Sequence, residues 1–303
     1  MRKALLILFF TLLIFSMPCA IQAQAITFTF DPPDSTAGTE YISEIETTTF
    51  MFEEETTRTN ARASFLFEKT DTACILTSIL EQSQSLRNGE EVENYEFDAL
   101  VALPFILVLD TEGRLDSIIG YEAIRDSLTK KDPTGYSQYA PESHEYEPYF
   151  INISRTWKNH IGDFHGKTAE IGDTWNITDT VSNIEYTEIN SKTITFTELI
   201  EYNEIECVLI EFEHSIDLEF TDYYEEALGK MLFESEEPTE YFELLGGSAS
   251  MKGKWILDPA TMLYYYEHEE RTETVQMKVY GGMEVSIQTE TISETRTKYE
   301  TKD

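Results

Sequence analysis

Positive charge is scarce in this sequence. Its 22 lysine and arginine residues stand against 57 aspartate and glutamate residues, and the formal net charge is −35. Binding to nucleic acid or to an anionic lipid surface depends on Lys and Arg contacts, so the composition argues against both kinds of partner. Most of the acidic residues alternate along predicted strands, which is typical of a solvated outer face. Calcium binding is the sharper alternative, although the sequence contains no D-x-D-x-D-G loop.

Motifs that carry catalysis are also missing. The sequence contains no G-x-S-x-G, no H-E-x-x-H, no C-x-x-C and no glycine-rich loop suited to a phosphate. We therefore predict a non-catalytic protein with no catalytic residue, no metal site and no cofactor. The abundant carboxylates leave open a hydrolase built on a carboxylate pair, as a minor alternative.

Long apolar runs are absent after the first residues of the chain. Arg2 and Lys3 precede an apolar stretch at 4–15, and Ala23-Gln24-Ala25 is a small-x-small cleavage site. This pattern predicts a secretory signal peptide, residues 1–25, that is cleaved near Ala25. No later stretch is long and apolar enough to cross a bilayer. We expect a secreted or periplasmic protein with no transmembrane segment.

Alternation of apolar and polar residues dominates the rest of the sequence. It is strict in ITFTF at 26–30 and extends over 271–297. Tight turns are predicted at Asn88-Gly89, Glu112-Gly113, Pro259-Ala260 and Gly281-Gly282, and Gly246-Gly247 is also interpreted as a turn. Such a pattern indicates antiparallel meanders with one face on a core and one face in water.

Two regions depart from this period of two. Residues 121–130 predict a short helix, and apolar residues at spacings of three and four over 150–164 predict an amphipathic helix. Residues 223–247 are interpreted as an insertion with one or two helical turns. We therefore divide the chain into a signal peptide at 1–25, a first β unit at 26–120, a helical lid at 121–170 and a second β unit at 171–303.

The two β units resemble each other. The segment GTEY at 38–41 lies 36 residues before Cys74, and GDTW at 172–175 lies 35 residues before Cys207. Each unit then ends with an apolar strand, an Asp, a tight turn and a return strand, at 105–118 and 253–266. Duplication explains this similarity, and the likeness of any two β-meanders is the alternative. Cys74 and Cys207 then form either a disulfide or two buried free thiols.

The segment GDTW is the most distinctive short motif. We expect Gly172 to permit a turn, Asp173 to bind nearby backbone amides and Trp175 to pack the following strand onto the core. The alternative is that Trp175 lines a ligand cavity.

These motifs, with the signal peptide and the hairpin DTEGRLDSIIGYEAI at 110–124, resemble a family of uncharacterised secreted β-rich bacterial proteins. The chain is more distantly similar in shape to the lipoprotein carriers, whose half-barrels surround acyl chains. That resemblance implies a fold and an apolar ligand, and no activity.

The expected fold is α+β and dominated by β-structure. It is either one large curved antiparallel sheet, or half-barrel, or two duplicated meander units, with helices covering one face. Side chains fill the concave apolar face, or a hydrophobic, lipid-like ligand does. The candidate ligand-binding residues are Phe105, Leu107, Trp157, Trp175, Phe196 and Trp255. The rival hypothesis is an acidic module of the cell envelope that binds a protein partner, with or without Ca²⁺.

Overall fold

The computed structural model describes residues 25–34, 39–51, 54–93, 100–131, 157, 162, 164–182, 186–222, 225, 242–279 and 282–301. The predicted signal peptide lies outside this range except for Ala25. Fourteen strands and a helix α1 are described there: β1 Ala25–Thr27, β2 Thr39–Met51, β3 Glu54–Lys69, β4 Cys74–Arg87, β5 Glu90–Val92, β6 Pro104–Leu109, β7 Leu115–Ile119, α1 Tyr121–Lys131, β8 Thr168–Glu170, β9 Thr174–Ser182, β10 Tyr186–Tyr202, β11 Ile205–Phe220, β12 Phe242–Asp258, β13 Leu263–Val279 and β14 Met283–Thr301. In this part of the chain, no helix has the length and apolar character needed to cross a membrane.

Twelve strands form one large curved antiparallel sheet, as expected. Their order is β7-β6-β4-β3-β2-β14-β13-β12-β11-β10-β9, and β5 pairs with β4. Strands β1 and β8 form a separate two-stranded sheet. The sheet is continuous across the two predicted units because β14 pairs with both β13 and β2.

The two predicted units follow the same path through the sheet. The first meander is β2-β3-β4-β6-β7 and the second is β9-β10-β11-β12-β13. Both run in the same direction along the sheet, so the second repeats the connectivity of the first and β14 joins them. The common origin of the meanders stays a prediction.

Turn chemistry accounts for most of the hairpins. Asn88 and Gly89 have φ of 54° and 81° between the paired residues Arg87 and Glu90, which is the two-residue turn predicted there. The predicted β13–β14 hairpin is present, with φ of 79° at Gly282, but Val279 pairs with Met283, so its loop has three residues and not two. Gly281 lies outside the described residues. The interpretation of Gly246-Gly247 as a turn is wrong. Both glycines lie within β12, where Leu245 is the extra residue of a bulge and Gly246, next to it, has φ of 143°.

Matching aspartates close the two matching hairpins. Asp110 accepts hydrogen bonds from the backbone N–H groups of Glu112 and Arg114, at 2.9 Å each, and from Arg114 Nε at 2.7 Å. Asp258 accepts from Ala260 N at 2.9 Å and from Thr261 Oγ1 at 2.7 Å. The two positions match in the predicted repeat, and each aspartate stabilises the turn that follows it.

The helical predictions are tested only in part. Helix α1 confirms the predicted helix at 121–130, and its Ile124 is buried. Most of the predicted helix at 150–164 and residues 226–241 of the predicted insertion lie outside the described residues. Residues 242–247 do not belong to an insertion, because they are the first six residues of β12.

Candidate functional site: an aromatic cluster and a polar patch on one face of the sheet

One hydrophobic cluster includes residues from both meanders. Side chains alternate between the two faces of a strand, so the face that carries this cluster is called the inner face. All six candidate ligand-binding residues meet here. Leu107, Phe196 and Trp255 belong to the buried cluster, and Phe105, Trp157 and Trp175 are partly buried and pack against it. Their proximity is a property of the structure, and their role in binding stays a prediction.

The two-stranded sheet of β1 and β8 lies on this cluster. We define the cover as residues 26–31, Trp157 and residues 164–170. Phe28 is fully buried, with ring centroids 5.3 Å from Phe164, 5.5 Å from Phe196 and 6.2 Å from Trp175. Side chains of the strictly alternating segment at 26–30 therefore cover the inner face at this end of the sheet.

Two residues further along, the cover reaches the first meander. The Phe30 ring lies 6.4 Å from that of Phe67 and 6.3 Å from that of Trp157. Trp157 Nε1 donates a 2.6 Å hydrogen bond to the carbonyl oxygen of Gly113, in the β6–β7 turn. The cover therefore bridges the two meanders through aromatic side chains.

The GDTW segment has the structural role predicted for it. Gly172 has φ of 96°, and Asp173 Oδ2 accepts a 2.8 Å hydrogen bond from Glu170 N. This turn begins β9 so that the Trp175 ring lies 4.5 Å from Phe196 and 5.7 Å from Phe164. Trp175 would occupy the same position in its alternative role, in contact with a ligand.

Trp255 is the centre of the cluster in the second meander. Its ring stacks on Phe212 at 4.3 Å, and its Nε1 donates a 2.8 Å hydrogen bond to Glu267 Oε1. The stack depends on Gly253, because a Cβ there would lie 2.8 Å from the Phe212 ring and 2.0 Å from the His268 carbonyl oxygen. Any larger residue at 253 therefore has to displace backbone.

The inner face of β10 changes from polar to apolar within a few residues. Glu188, Asn190 and Lys192 are 5%, 5% and 6% exposed, and the next two inner-face residues, Ile194 and Phe196, are fully buried. Buried charged side chains are rare unless they are paired, so this strand marks a specialised part of the sheet.

His214, the register partner of Lys192 on β11, completes what we call the polar patch (Glu188, Asn190, Lys192 and His214). His214 Nε2 lies 3.0 Å from Asn190 Oδ1, and Lys192 Nζ lies 4.7 Å from the centre of the Trp255 ring. The cation over the indole joins the patch to the aromatic cluster.

Cys74 and Cys207 are both buried free thiols, so the two do not form a disulfide. Cys74 belongs to the inner-face cluster, whereas Cys207 alternates with the inner-face residues Val208 and Ile210 and points to the outer face. Burial raises the pKa of the Cys74 thiol to about 11, with a smaller rise from Asp34 and an opposing effect of Lys69. Burial, with a smaller effect of Asp258, raises the pKa of Cys207 to about 12.

Open grooves lie on the outer face of the sheet. One of about 550 Å³ crosses β10 to β14 and includes Ser191, Glu213 and Lys252, and a neighbour of about 410 Å³ shares Glu213 and Lys252. A third of about 560 Å³ crosses β14, β2, β3 and β4 and includes Arg62. In the described segments, no group of three or more His, Cys, Asp or Glu residues could hold a metal ion.

Sequence reasoning missed Phe28, Phe30 and Phe164 as members of the site, and it missed the polar patch. The alternation at 26–30 was a usable signal, because a strand of alternating Phe that follows a predicted leader has an apolar side to bury. No sequence signal distinguished the buried Glu188 and Lys192 from the many exposed charges on other strands.

No protein-family model and no curated protein matches the chain. Among solved structures, the chain is similar to lipovitellin, from a study of its lipid–protein interactions, at 12% identity and a TM-score of 0.45 over 90% of this chain and 26% of that one. It is also similar to a protein of Bacteroides fragilis described as exported and YmcC-like in fold, at 8% identity and a TM-score of 0.24 over 90% and 99%. An outer-membrane channel of Pseudomonas putida F1 gives 6% and 0.15 over 89% and 98%. The chain spans about a quarter of the lipovitellin chain, and these TM-scores carry no argument about function.

Proposed function

We propose that this protein is a non-catalytic carrier that binds a hydrophobic, lipid-like ligand on the inner face of the sheet, where the ligand exchanges with the cover. One observation carries the proposal: β1 and β8 pair with each other on top of the aromatic cluster and do not extend the 12-stranded sheet. The cover is therefore held by side-chain packing and by a few hydrogen bonds to hairpin turns. Thr29 donates to the Pro259 and Ala260 carbonyls, and Trp157 donates to that of Gly113. An acyl chain can replace the packing.

The burial energy lost when the cover leaves and the burial energy gained by an acyl chain are of similar size. Burial of a Phe side chain stabilises a protein by about 1.5–3 kcal/mol, so Phe28 and Phe30 together contribute about 3–6 kcal/mol. A buried methylene contributes about 0.8 kcal/mol, so roughly four to eight methylenes offset the two rings. Chains longer than this have a net gain on displacing the cover. We expect the affinity to rise about fourfold for each further methylene.

Intrinsic fluorescence tests the proposal directly, because the chain has three tryptophans and all three lie in or against the cluster. A fatty acid brominated along its acyl chain is a contact quencher of tryptophan. We expect saturable quenching by the brominated chain, and no saturable change with a short-chain analogue. Native mass spectrometry of protein purified gently from its own cells, before and after organic extraction, then identifies any ligand that co-purifies.

Matched variants separate binding from general effects. Trp175→Ala removes a ring of the cluster and is expected to weaken binding of the brominated chain about tenfold, whereas Ile292→Ala, at a residue 40% exposed on the outer face, is expected to leave it unchanged. A bare polypeptide mass, together with quenching that never saturates, would refute the carrier proposal.

A second candidate function is supported by the outer-face grooves. These grooves are lined by Ser, Thr, Glu and Lys side chains, which suit the polar surface of a partner protein. The chain that carries the grooves has a high net negative charge. Attraction between charges at such a surface is screened by salt, so capture of a partner should fall as NaCl rises from 0.05 to ~0.5 M. A ligand held by the aromatic cluster should be insensitive to the same change.

Export belongs to the same proposal. We propose that the leader is removed near Ala25 and that the protein is secreted or periplasmic, because the core segment at 26–30 begins directly after the predicted cleavage site. The intact mass of the protein purified from cell fractions tests both points. A mature chain that lacked Phe28 would contradict the proposed cover.

A further inference from the structure

We propose that the polar patch receives the uncharged, oxygen-bearing head group of the ligand, of the kind found in an acylglycerol. This inference rests on the proposed function and goes beyond it, since it names the chemical class of the head group and the residue that selects it. Asn190 is the selecting residue, and its amide donates to an ester carbonyl or hydroxyl oxygen.

The amide of Asn190 carries the argument. Its Oδ1 faces His214 Nε2 at 3.0 Å, and within the described part of the chain its Nδ2 has no hydrogen-bond acceptor. The residue is 5% exposed, so bulk water does not supply one. Whichever way the amide is turned, one of its two polar atoms is left over. A buried polar atom without a partner destabilises the protein, and an acceptor on a ligand recovers that loss as binding affinity.

The charges around the amide select against an anionic head group. Lys192 and Glu188 flank Asn190 on the inner face of β10, each two residues away, and their formal charges cancel. Across the sheet on β13, the register places Arg271 and Glu273 on the same face, where they form an ion pair. A phosphate or carboxylate placed here therefore has no net positive charge to balance it, and burial of an unbalanced anion is costly. An uncharged oxygen acceptor avoids this cost.

The position of the patch also fits an amphiphile. Asn190 and Phe196 lie on the inner face of the same strand, six residues apart, which is about 20 Å along an extended strand. Ile194 lies between them, and Trp255 contacts both the patch and the aromatic cluster. A head group at Asn190 therefore directs an attached acyl chain along buried apolar side chains.

The experiment compares three probes that share one oleoyl chain: 1-monooleoylglycerol, oleate and oleoyl lysophosphatidate. Binding to the mature protein is followed by its tryptophan emission. We expect monooleoylglycerol to bind at least tenfold more tightly than either anion. Asn190→Leu is expected to weaken monooleoylglycerol about tenfold and to leave the anions unchanged. Asn176→Leu is the matched control, because Asn176 is an exposed asparagine of β9 that accepts from Thr193 Oγ1.

A stability readout distinguishes ligand selection from a structural role. Asn190→Leu removes a buried Nδ2 atom that has no partner, together with the hydrogen bond between Asn190 Oδ1 and His214 Nε2. His214→Leu removes the same hydrogen bond, so the unfolding midpoint of Asn190→Leu should fall no further than that of His214→Leu. A larger fall, or equal affinity for all three probes with no effect of Asn190→Leu, would overturn the inference and leave the carrier proposal standing. Failure of all three probes to bind would overturn both. The comparison of probes on the unmodified protein decides the question even if the variant does not fold.

Discussion

We expect Phe28→Ala to destabilise the protein by about 4 kcal/mol. The side chain is fully buried, and replacement of a buried Phe by Ala costs about 3–5 kcal/mol, which includes lost transfer energy and the cavity that remains. The contacts with Phe164, Phe196 and Trp175 are tilted or edge-to-face aromatic pairs, which places the expected loss near the middle of that range. In a chain of this size, such a loss lowers Tm by about 10 °C.

Urea unfolding followed by tryptophan emission measures this loss as a shift in the midpoint at constant slope. Thr27→Ala is the control, because its exposed side chain lies one residue away, and we expect it to change stability by no more than about 0.5 kcal/mol. A loss below about 1 kcal/mol in Phe28→Ala would refute the reasoning. It would mean that residues 26–31 do not fill the inner face, and the proposed cover would fail with it.

Three further predictions concern the rest of the described structure. Cys74 and Cys207 should resist iodoacetamide at pH 8 and each take one label in urea, because burial raises the pKa of both thiols; intact mass counts the labels. Gly253→Ala should cost at least about 3 kcal/mol in urea unfolding, since the new Cβ meets a backbone carbonyl. Asp110→Asn should cost about 1 kcal/mol at pH 7, measured by Tm. Partial burial raises the pKa of Asp110, but hydrogen bonds from Arg114 and two backbone N–H groups outweigh it, so the folded pKa is lowered. The stabilisation is therefore complete above the unfolded pKa, near 4, and the difference between the two proteins should vanish as the pH falls through the folded value.

Much of the fold was predictable because its signals are local. The turn at Asn88-Gly89, the hairpins that follow Asp110 and Asp258, and the strand start at GDTW depend on residues next to one another in the chain. Gly246 shows where local signals mislead. A glycine pair after two leucines fits a turn or a bulge equally well, and the pairing of β12 with β13 decides for the bulge.

The candidate site was predictable only as a set of residue types. Bulky apolar residues such as Trp175 and Phe196 were expected to face a common core, since alternation assigns them to the buried side of a strand. The burial of Glu188 and Lys192 was not predictable, because their spacing is the same as that of exposed acidic and basic residues on neighbouring strands. The place of Lys192 beside Trp255 depends on the register of three strands.

By itself, the amino-acid sequence determined the β-dominated class, the positions of most turns, the likeness of the two meanders and the apolar alternation of residues 26–30. These properties follow from backbone preferences and from a side-chain period of two, and both act over a few residues. Only the tertiary structure decided that Cys74 and Cys207 face opposite sides of one sheet, that residues 26–31 fill its inner face, and that Asn190 lies buried with an unmatched amide. Those outcomes depend on the register and curvature of strands far apart in the chain, where each position is fixed by its packing partners.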